Sequence, residues 1–132
     1  MPIKPKYAVL IQRGLKRVEY RRRLPARPFS WLIVYSSSPT QRVVAIAKVT
    51  GTVEGSRRQV WDETGSRGGV SRREFDNYFA GAKRCGYICL GEITPINPVR
   101  PTLGARGFKI PQSFSYVGPA FVRKLYDHGT TS

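Results

Sequence analysis

The order of apolar and polar residues predicts a helix and then a strand at the start of the chain. Residues 4–13 (KPKYAVLIQR) have helical spacing, with Pro5 suited to a first helical turn and Gly14 at the expected end. In residues 16–23 apolar and charged side chains alternate, which is typical of a strand with one packed face and one polar face. The N-terminal segment is therefore predicted to pass from helix to strand through a glycine turn.

The rest of the chain predicts short strands with a few short helices. Ser71 and Glu74 have the spacing of a capping box. Residues 65–69 (GSRGG) are interpreted as a flexible connector, and the Pro/Gly-rich stretch 95–111 as a loop. Strands are predicted at 31–35, 43–53 (with a bulge or bend at Gly51), 84–93 and 113–117, and helices at 57–63, 71–80 and 121–126. The pattern indicates a mostly β (α+β) domain, a small closed or nearly closed barrel with short flanking helices.

Aromatic side chains are assigned mainly to the core by their periodicity. One of them, or Tyr116, is kept as a candidate for stacking on a base. The core set is Trp31, Tyr35, Trp61, Phe75, Tyr78 and Phe79.

The net charge of the chain limits which class of binding partner is expected. The 132 residues include 23 Lys and Arg against 8 Asp and Glu, a formal charge of +15, while 40% of residues are hydrophobic, as in a folded domain. Nine basic residues and a single acid, Glu19, fall within the first 30 positions. A positive charge this large and this clustered favours a polyanion such as nucleic acid, because phosphate binding releases condensed counterions. The alternatives are an anionic membrane surface and a solvated basic face that binds nothing.

Two further features concern location and cofactors. No apolar run approaches the roughly 18 residues of a membrane-spanning helix, and the N-terminus lacks a secretory signal, so a cytoplasmic protein without a membrane partner is expected. Cys85 and Cys89 have no second pair of metal ligands, and the one histidine, His128, falls in the predicted tail. We therefore expect structural thiols, no metal and no cofactor.

The stretch GLKRVEYRRR (residues 14–23) surrounds one carboxylate with cations. Glu19 and Arg21 are two apart, so on a strand their side chains leave the same face. Lys16 is three residues from Glu19 and joins them only if the strand begins after it or bulges near Arg17. Convergence of the three would suit a nucleotide, whereas an internal ion pair that closes one end of a barrel is the structural alternative.

Gly14, Lys16, Glu19 and Arg21 also fit a family motif, GxKxxExR. With the flanking segments IKPKYAVLIQRG, YSSSP, GVSRREFDNYFAG and IPQSFSYV, the sequence resembles the ASCH domain, a β-barrel related to the PUA domains of RNA-modifying enzymes. The resemblance spans residues 3–117. It implies a PUA-like domain at 1–118, followed by a partly frayed extension at 119–132, with a cleft lined by the motif.

The resemblance implies binding of RNA or a nucleotide-like ligand in that cleft, with DNA or a protein as alternative partners and no assignment of oligomeric state. Surface arginines would contact phosphates, and a closing strand would pass near the cleft. The predicted binding residues are Lys16, Glu19, Arg21, Arg22, Arg23, Ser37, Arg42, Gln112 and Ser113.

Two other functions remain open. In a ribonuclease or a modified-nucleoside hydrolase, Lys16 and Glu19 would be the catalytic acid and base. The amidohydrolases of the family carry a threonine where this chain has Glu19, and residues 64–73 contain no carboxylate to match their further catalytic acid. A protein-interaction module in transcription or translation, whose basic face docks an acidic partner, is the other alternative.

Overall fold

The computed structural model describes residues 2–25 and 29–99, which form a curled sheet flanked by short helices. The five strands lie in the order β1-β3-β4-β5-β2. The elements are β1 (Pro2–Ile3), α1 (Pro5–Gln12), β2 (Val18–Arg21), β3 (Trp31–Ser36), β4 (Arg42–Gly55), α2 (Arg57–Thr64), a 3-10 helix (Gly65–Gly68), α3 (Arg72–Tyr78) and β5 (Cys85–Val99).

Four strands of the sheet are antiparallel, and β1 alone pairs in parallel, with β3. The sheet forms a half-barrel, and the mostly β, α+β fold predicted from the sequence is confirmed. The predicted bend at Gly51 is also confirmed, because the register of β4 against β5 shifts between Val49 and Gly51, after two earlier shifts. Such irregularities bend a strand and increase its twist, which helps the sheet to curl.

Two hydrophobic cores lie on the sheet. The first packs α1 against β3, β4 and β5, and its buried members include Ile11, Leu32 and Ile88. The second packs β2 against α2 and α3, and it centres on Tyr20 and Phe75, whose ring centroids are 5.1 Å apart. Since Val18 and Tyr20 both enter the second core, β2 is buried on this side as its alternation predicts.

β5 is longer than the sequence predicts. The strand was predicted to end at residue 93 and to be followed by a loop from Pro95, but it continues to Val99. β2 pairs with β5 only from Gly86 to Cys89, so within the described residues Pro95 lies where β4 alone pairs with the strand. Proline is tolerated at such a position because only one edge of the strand needs backbone donors.

Residues 65–69 are not a flexible connector, and that interpretation is wrong. They form the 3-10 helix and a turn in which Gly68 is buried and Gly69 has a left-handed φ of +67°. A Cβ at Gly68 would lie 1.9 Å from the Tyr20 hydroxyl, and one at Gly69 would lie 3.0 Å from the Lys16 Cβ. The glycines therefore allow this segment to pack directly on β2 and on the turn before it.

The predicted strand at 113–117, the helix at 121–126 and the boundary between 1–118 and 119–132 lie outside the described residues. Within residues 2–25 and 29–99, none of the helices has both the length and the apolar character that a bilayer crossing requires.

Candidate functional site

A pocket of about 570 Å³ opens between α1, β2 and α3. Cationic side chains and carboxylates line it together with aromatic rings, so it is both charged and partly apolar. Its polar and aromatic lining includes Lys4, Tyr7, Lys16, Glu19, Tyr20, Arg21, Glu74, Asn77 and Tyr78.

Lys16 reaches this pocket from the turn that joins α1 to β2. The chain leaves α1 through Gly14, whose φ of +75° favours glycine, and the Lys16 N–H donates to the Leu10 carbonyl at 3.1 Å. Because β2 begins only at Val18, the strand's alternation does not fix the direction of the Lys16 side chain. Lys16 was predicted to join Glu19 only if the strand begins after Lys16, and this condition is met.

The structure brings Lys16, Glu19 and Arg21 together. Lys16 Nζ lies 3.7 Å from Glu19 Oε1, and a guanidinium nitrogen of Arg21 lies 3.4 Å from Glu19 Oε2. The Glu19 side chain is 9% exposed and that of Arg21 is 21% exposed. The three groups form a compact cluster, two cations on one carboxylate, beside an open cavity rather than a sealed ion pair.

Lys16 is almost fully enclosed, with 1% of its surface exposed. Its ammonium donates to the Gly68 carbonyl at 2.5 Å and lies 4.8 Å from the centre of the Tyr20 ring and 5.5 Å from that of Tyr7. Burial lowers the pKa of Lys16, and the neighbouring Glu19 carboxylate opposes that shift. A lysine held in this way is a better proton donor than one in water.

A second carboxylate, Glu74, lies on the opposite wall in the first turn of α3. Oε1 accepts from the Ser71 backbone N–H at 3.1 Å, which completes the predicted capping box. Oε2 accepts from Lys6 Nζ at 2.9 Å and from the Tyr7 hydroxyl. The Tyr7 hydrogen bond, followed by those from Ser71 and Lys6, lowers the pKa of Glu74 to about 2. Glu74 thus ties α1 to α3.

The two predicted arginines that follow the motif lie away from the pocket. Arg22 is exposed, and its guanidinium donates to the Ala80 carbonyl at 3.1 Å beyond the end of α3. Arg23 is also exposed. Neither residue lines the pocket, so a role for them would be in contacting a ligand that extends over the surface.

Ser37 lies in the turn between β3 and β4, and Arg42 is the first residue of β4. The Ser37 N–H donates to the carbonyl of Ile3, a residue of the pocket wall, at 2.7 Å, while Arg42 donates to the Gln41 carbonyl at 3.0 Å. Neither side chain lines the pocket. The predicted contacts Gln112 and Ser113 lie outside the described residues.

Sequence reasoning missed the α3 wall of the site. It noted that residues 64–73 lack a carboxylate, yet Glu74 follows immediately and lines the pocket. It assigned Tyr78 to the core together with Phe75 and Phe79. Those two phenylalanines are buried, but Tyr78 is 41% exposed and lines the pocket, so its assignment to the core is wrong, and it is a member of that set placed where a ring could stack. The available signal was the four-residue spacing of Glu74 and Tyr78, which places both side chains on one face of the helix.

The two cysteines are separate from this site. Cys85 is buried in the second core and Cys89 is half-buried against it, both as free thiols. Burial raises the pKa of each thiol, which is expected of unreactive structural cysteines.

Comparison with known proteins gives consistent matches over nearly the whole chain. A family model for the ASCH domain matches residues 1–126. An ASCH domain-containing ribonuclease of Zymomonas mobilis subsp. mobilis is 29% identical over 126 residues, which cover 92% of this chain and 84% of the relative. The crystal structure of ASCH from Zymomonas mobilis aligns with a TM-score of 0.86 at 26% identity, covering 96% of this chain and 92% of that one. A tyrosine-to-phenylalanine mutant of that protein aligns with a TM-score of 0.86 at 25% identity, covering 96% and 94%.

Proposed function

This chain belongs to the ASCH domain family, and we propose that it binds RNA by taking one nucleotide into the pocket around Lys16, Glu19 and Arg21. The observation that carries the proposal is the cluster of two cations and a carboxylate beside an open cavity. A volume of about 570 Å³ lies within the usual range of small-ligand pockets. The relative named a ribonuclease supports RNA as the partner.

Each group of the cluster suits a different part of a nucleotide. Arg21 offers a planar fork of donors that matches a phosphate, and Lys16 adds a positive charge behind it. Glu19 accepts hydrogen bonds from an exocyclic amine or from the ribose 2′-hydroxyl, the group that distinguishes RNA from DNA. The exposed Arg22 and Arg23 extend the positive charge beyond the pocket for the phosphates of neighbouring nucleotides.

Binding measured across a salt series tests this proposal. We expect single-stranded RNA to bind at low salt, and Arg21→Gln to weaken binding at least about tenfold more than Arg58→Gln does. Arg58 is a matched control, since its side chain is 92% exposed and does not line the pocket, and each change removes one positive charge. Equal losses for the two variants would reduce the interaction to nonspecific attraction, and no binding at low salt would contradict the proposal.

RNA cleavage is a second candidate function. It is favoured by the name of the relative and by the buried Lys16, whose pKa is lowered, next to a carboxylate. In this reaction Glu19 takes the proton of a ribose 2′-hydroxyl, and the 2′-oxygen attacks the adjacent phosphorus. The bond from phosphorus to the 5′-oxygen breaks as Lys16 protonates that oxygen, which leaves a 2′,3′-cyclic phosphate and a 5′-hydroxyl.

Gel analysis of end-labelled RNA separates the two functions. If the protein cleaves, Glu19→Gln abolishes cleavage at a temperature where circular dichroism shows the variant to be folded, and RNA methylated at the 2′-oxygen stays intact. RNA that survives for hours with excess wild-type protein would rule cleavage out and leave binding as the function.

A further inference from the structure

Tyr78 is an exposed aromatic residue at the rim of the pocket. It is 41% exposed, and of the large hydrophobic side chains exposed in the described residues, Val9 and Leu15 do not line the pocket while Tyr78 does. A singly exposed apolar side chain is ordinary on a protein surface, but a ring that also lines a charged cavity is a candidate contact for a ligand.

The ring is carried by a firmly anchored helix. Phe75 and Phe79 of α3 are buried in the second core, and the capping box of Ser71 and Glu74 fixes the first turn. The Tyr78 ring packs edge-to-face on Phe79, with ring centroids 4.9 Å apart and an interplanar angle of 72°. Tyr78 is therefore presented from a rigid base, which reduces the entropy lost when a flat ligand stacks on it.

The pocket is also lined by chemically different groups from different elements. Lys16, Glu19 and Arg21 form the charged cluster on β2 and the turn before it. Tyr78 follows Glu74 by one helical turn, a rise of about 6 Å along α3. Asn77, which also lines the pocket, adds a side-chain amide that both donates and accepts. A nucleotide likewise combines a charged phosphate with a flat base that has hydrogen-bonding edges.

We infer that α3 forms the base-recognition wall of the pocket, with Tyr78 stacking on the base and Asn77 contacting its edge. This inference rests on the proposed binding of RNA and names the two residues that would recognise the base. A base within a duplex is stacked on both faces and cannot lie against Tyr78, whereas a base in a loop or a single strand can. The cluster of Lys16, Glu19 and Arg21 holds the phosphate of the same nucleotide.

Two probes separate stacking from phosphate binding: a uridine oligonucleotide and an abasic ribose-phosphate oligonucleotide of equal length. We expect Tyr78→Ala to weaken binding of the uridine oligonucleotide by about 5- to 150-fold, the range for loss of base stacking. Binding of the abasic oligonucleotide should change less than about twofold, because Tyr78 does not contact phosphate. Tyr78→Phe should bind both probes as the wild type does, since its ring is kept. Fluorescence anisotropy at fixed salt gives the affinities.

The control variant is Leu15→Ala, which removes an exposed apolar side chain (59% exposed) away from the pocket and should leave both affinities unchanged. If Tyr78→Ala does not fold, Tyr78→Leu keeps an apolar side chain without the ring and should show the same selective loss. An equal loss for both probes, no loss for either, or duplex RNA bound as tightly as single strands would overturn the inference. Wild-type protein that binds neither probe would instead contradict the proposed function.

Asn77 is tested by the same design with different bases. Asn77→Ala should change the order of affinities among uridine, cytidine and adenosine oligonucleotides, while leaving the abasic probe within about twofold of the wild type. An unchanged order would show that Asn77 does not read the base.

Discussion

The pocket contains two carboxylates that are held in different ways. Glu19 is nearly enclosed, and its contacts with Lys16 and Arg21 are relatively long, at 3.7 and 3.4 Å. Glu74 has a side chain that is 33% exposed, and it accepts hydrogen bonds from Lys6, Ser71 and Tyr7. Glu74, although partly exposed, is thus engaged in hydrogen bonds that hold the fold together. Glu19, although nearly enclosed, has only longer contacts with its two cations, and a ligand can still change that geometry.

The comparison separates a structural acid from a candidate working acid. A carboxylate with several short hydrogen bonds is committed to one arrangement, as Glu74 is in joining α1 and α3. A carboxylate beside two cations in a cavity can exchange part of that interaction for a substrate group. The sequence assigned Glu19 to the motif and Glu74 to a capping box, but it did not indicate that the two carboxylates line the same pocket.

The largest effect on stability is expected from Lys16→Met. It removes one of the two cations beside Glu19 and leaves the Gly68 carbonyl without this donor. We expect a loss of about 3 kcal/mol, and not more, because Arg21 still lies beside the carboxylate. Lys6→Met, which removes the cation paired with Glu74, is the matched control. It should have a far smaller effect, since the Lys6 side chain is 67% exposed. Urea unfolding at neutral pH measures both, and similar losses would contradict the distinction between the two acids.

A smaller loss is expected from Gly68→Ala, about 1–3 kcal/mol from overpacking. The new methyl would lie 1.9 Å from the Tyr20 hydroxyl, which is held at 2.6 Å from Thr64 Oγ1, so the ring cannot turn away without losing that contact. Gly65→Ala is less suitable as a control because of its φ of +49°, whereas Gly51→Ala meets nothing within 4 Å. If the Gly68→Ala protein is as stable as the Gly51→Ala protein, the Tyr20 ring and the 3-10 helix can move apart at little cost.

Tyr7→Phe tests the hydrogen bonding of Glu74. It should lower the free energy of unfolding by about 1 kcal/mol, the usual net value of one hydrogen bond. The change keeps the ring that lies 5.5 Å from Lys16 Nζ and removes only the donor to Glu74. Thermal unfolding measures the loss, and Tyr78→Phe is the control because it removes a tyrosine hydroxyl from the neighbouring wall. A loss as large as that of Lys16→Met would mean that Glu74 is as critical as Glu19.

The smallest effect on stability is expected from lowering the pH. The hydrogen bonds of Glu74 lower its pKa from 4.5 to about 2, so the stability that this carboxylate contributes is complete above pH 4.5 and is lost as the pH falls towards 2. Because the side chain is one third exposed, solvent screening keeps the contribution modest. The wild type should lose more stability across this window than Glu74→Gln, and parallel curves for the two proteins would contradict this assignment.

Local signals predicted much of the fold. Pro5 and Gly14 bracket α1, the capping box of Ser71 and Glu74 starts α3, and alternation identified β2. Each of these features depends on residues within about ten positions of one another, which is the range that sequence patterns describe. The motif also indicated which side chains would converge, on the condition, now met, that β2 begins after Lys16.

Contacts between distant residues were not predictable in this way. The capping box accounts for one oxygen of Glu74, and nothing local shows that the other reaches Tyr7, 67 positions away. The same holds for Lys16 and Gly68, 52 positions apart. A glycine-rich run is usually a sign of a loose turn, so the close packing of residues 65–69 on Lys16 and Tyr20 appears only when the chain is folded.

The lengths of β4 and β5 have a consequence for how the protein opens. Both strands are long enough to pass from the first hydrophobic core to the second, and they pair with each other from Val43 and Val99 to Gly55 and Cys85. One core therefore cannot separate from the other without breaking backbone hydrogen bonds shared by the same ladder. Amide hydrogens in both halves of these strands should exchange with a common opening free energy, as one cooperative unit.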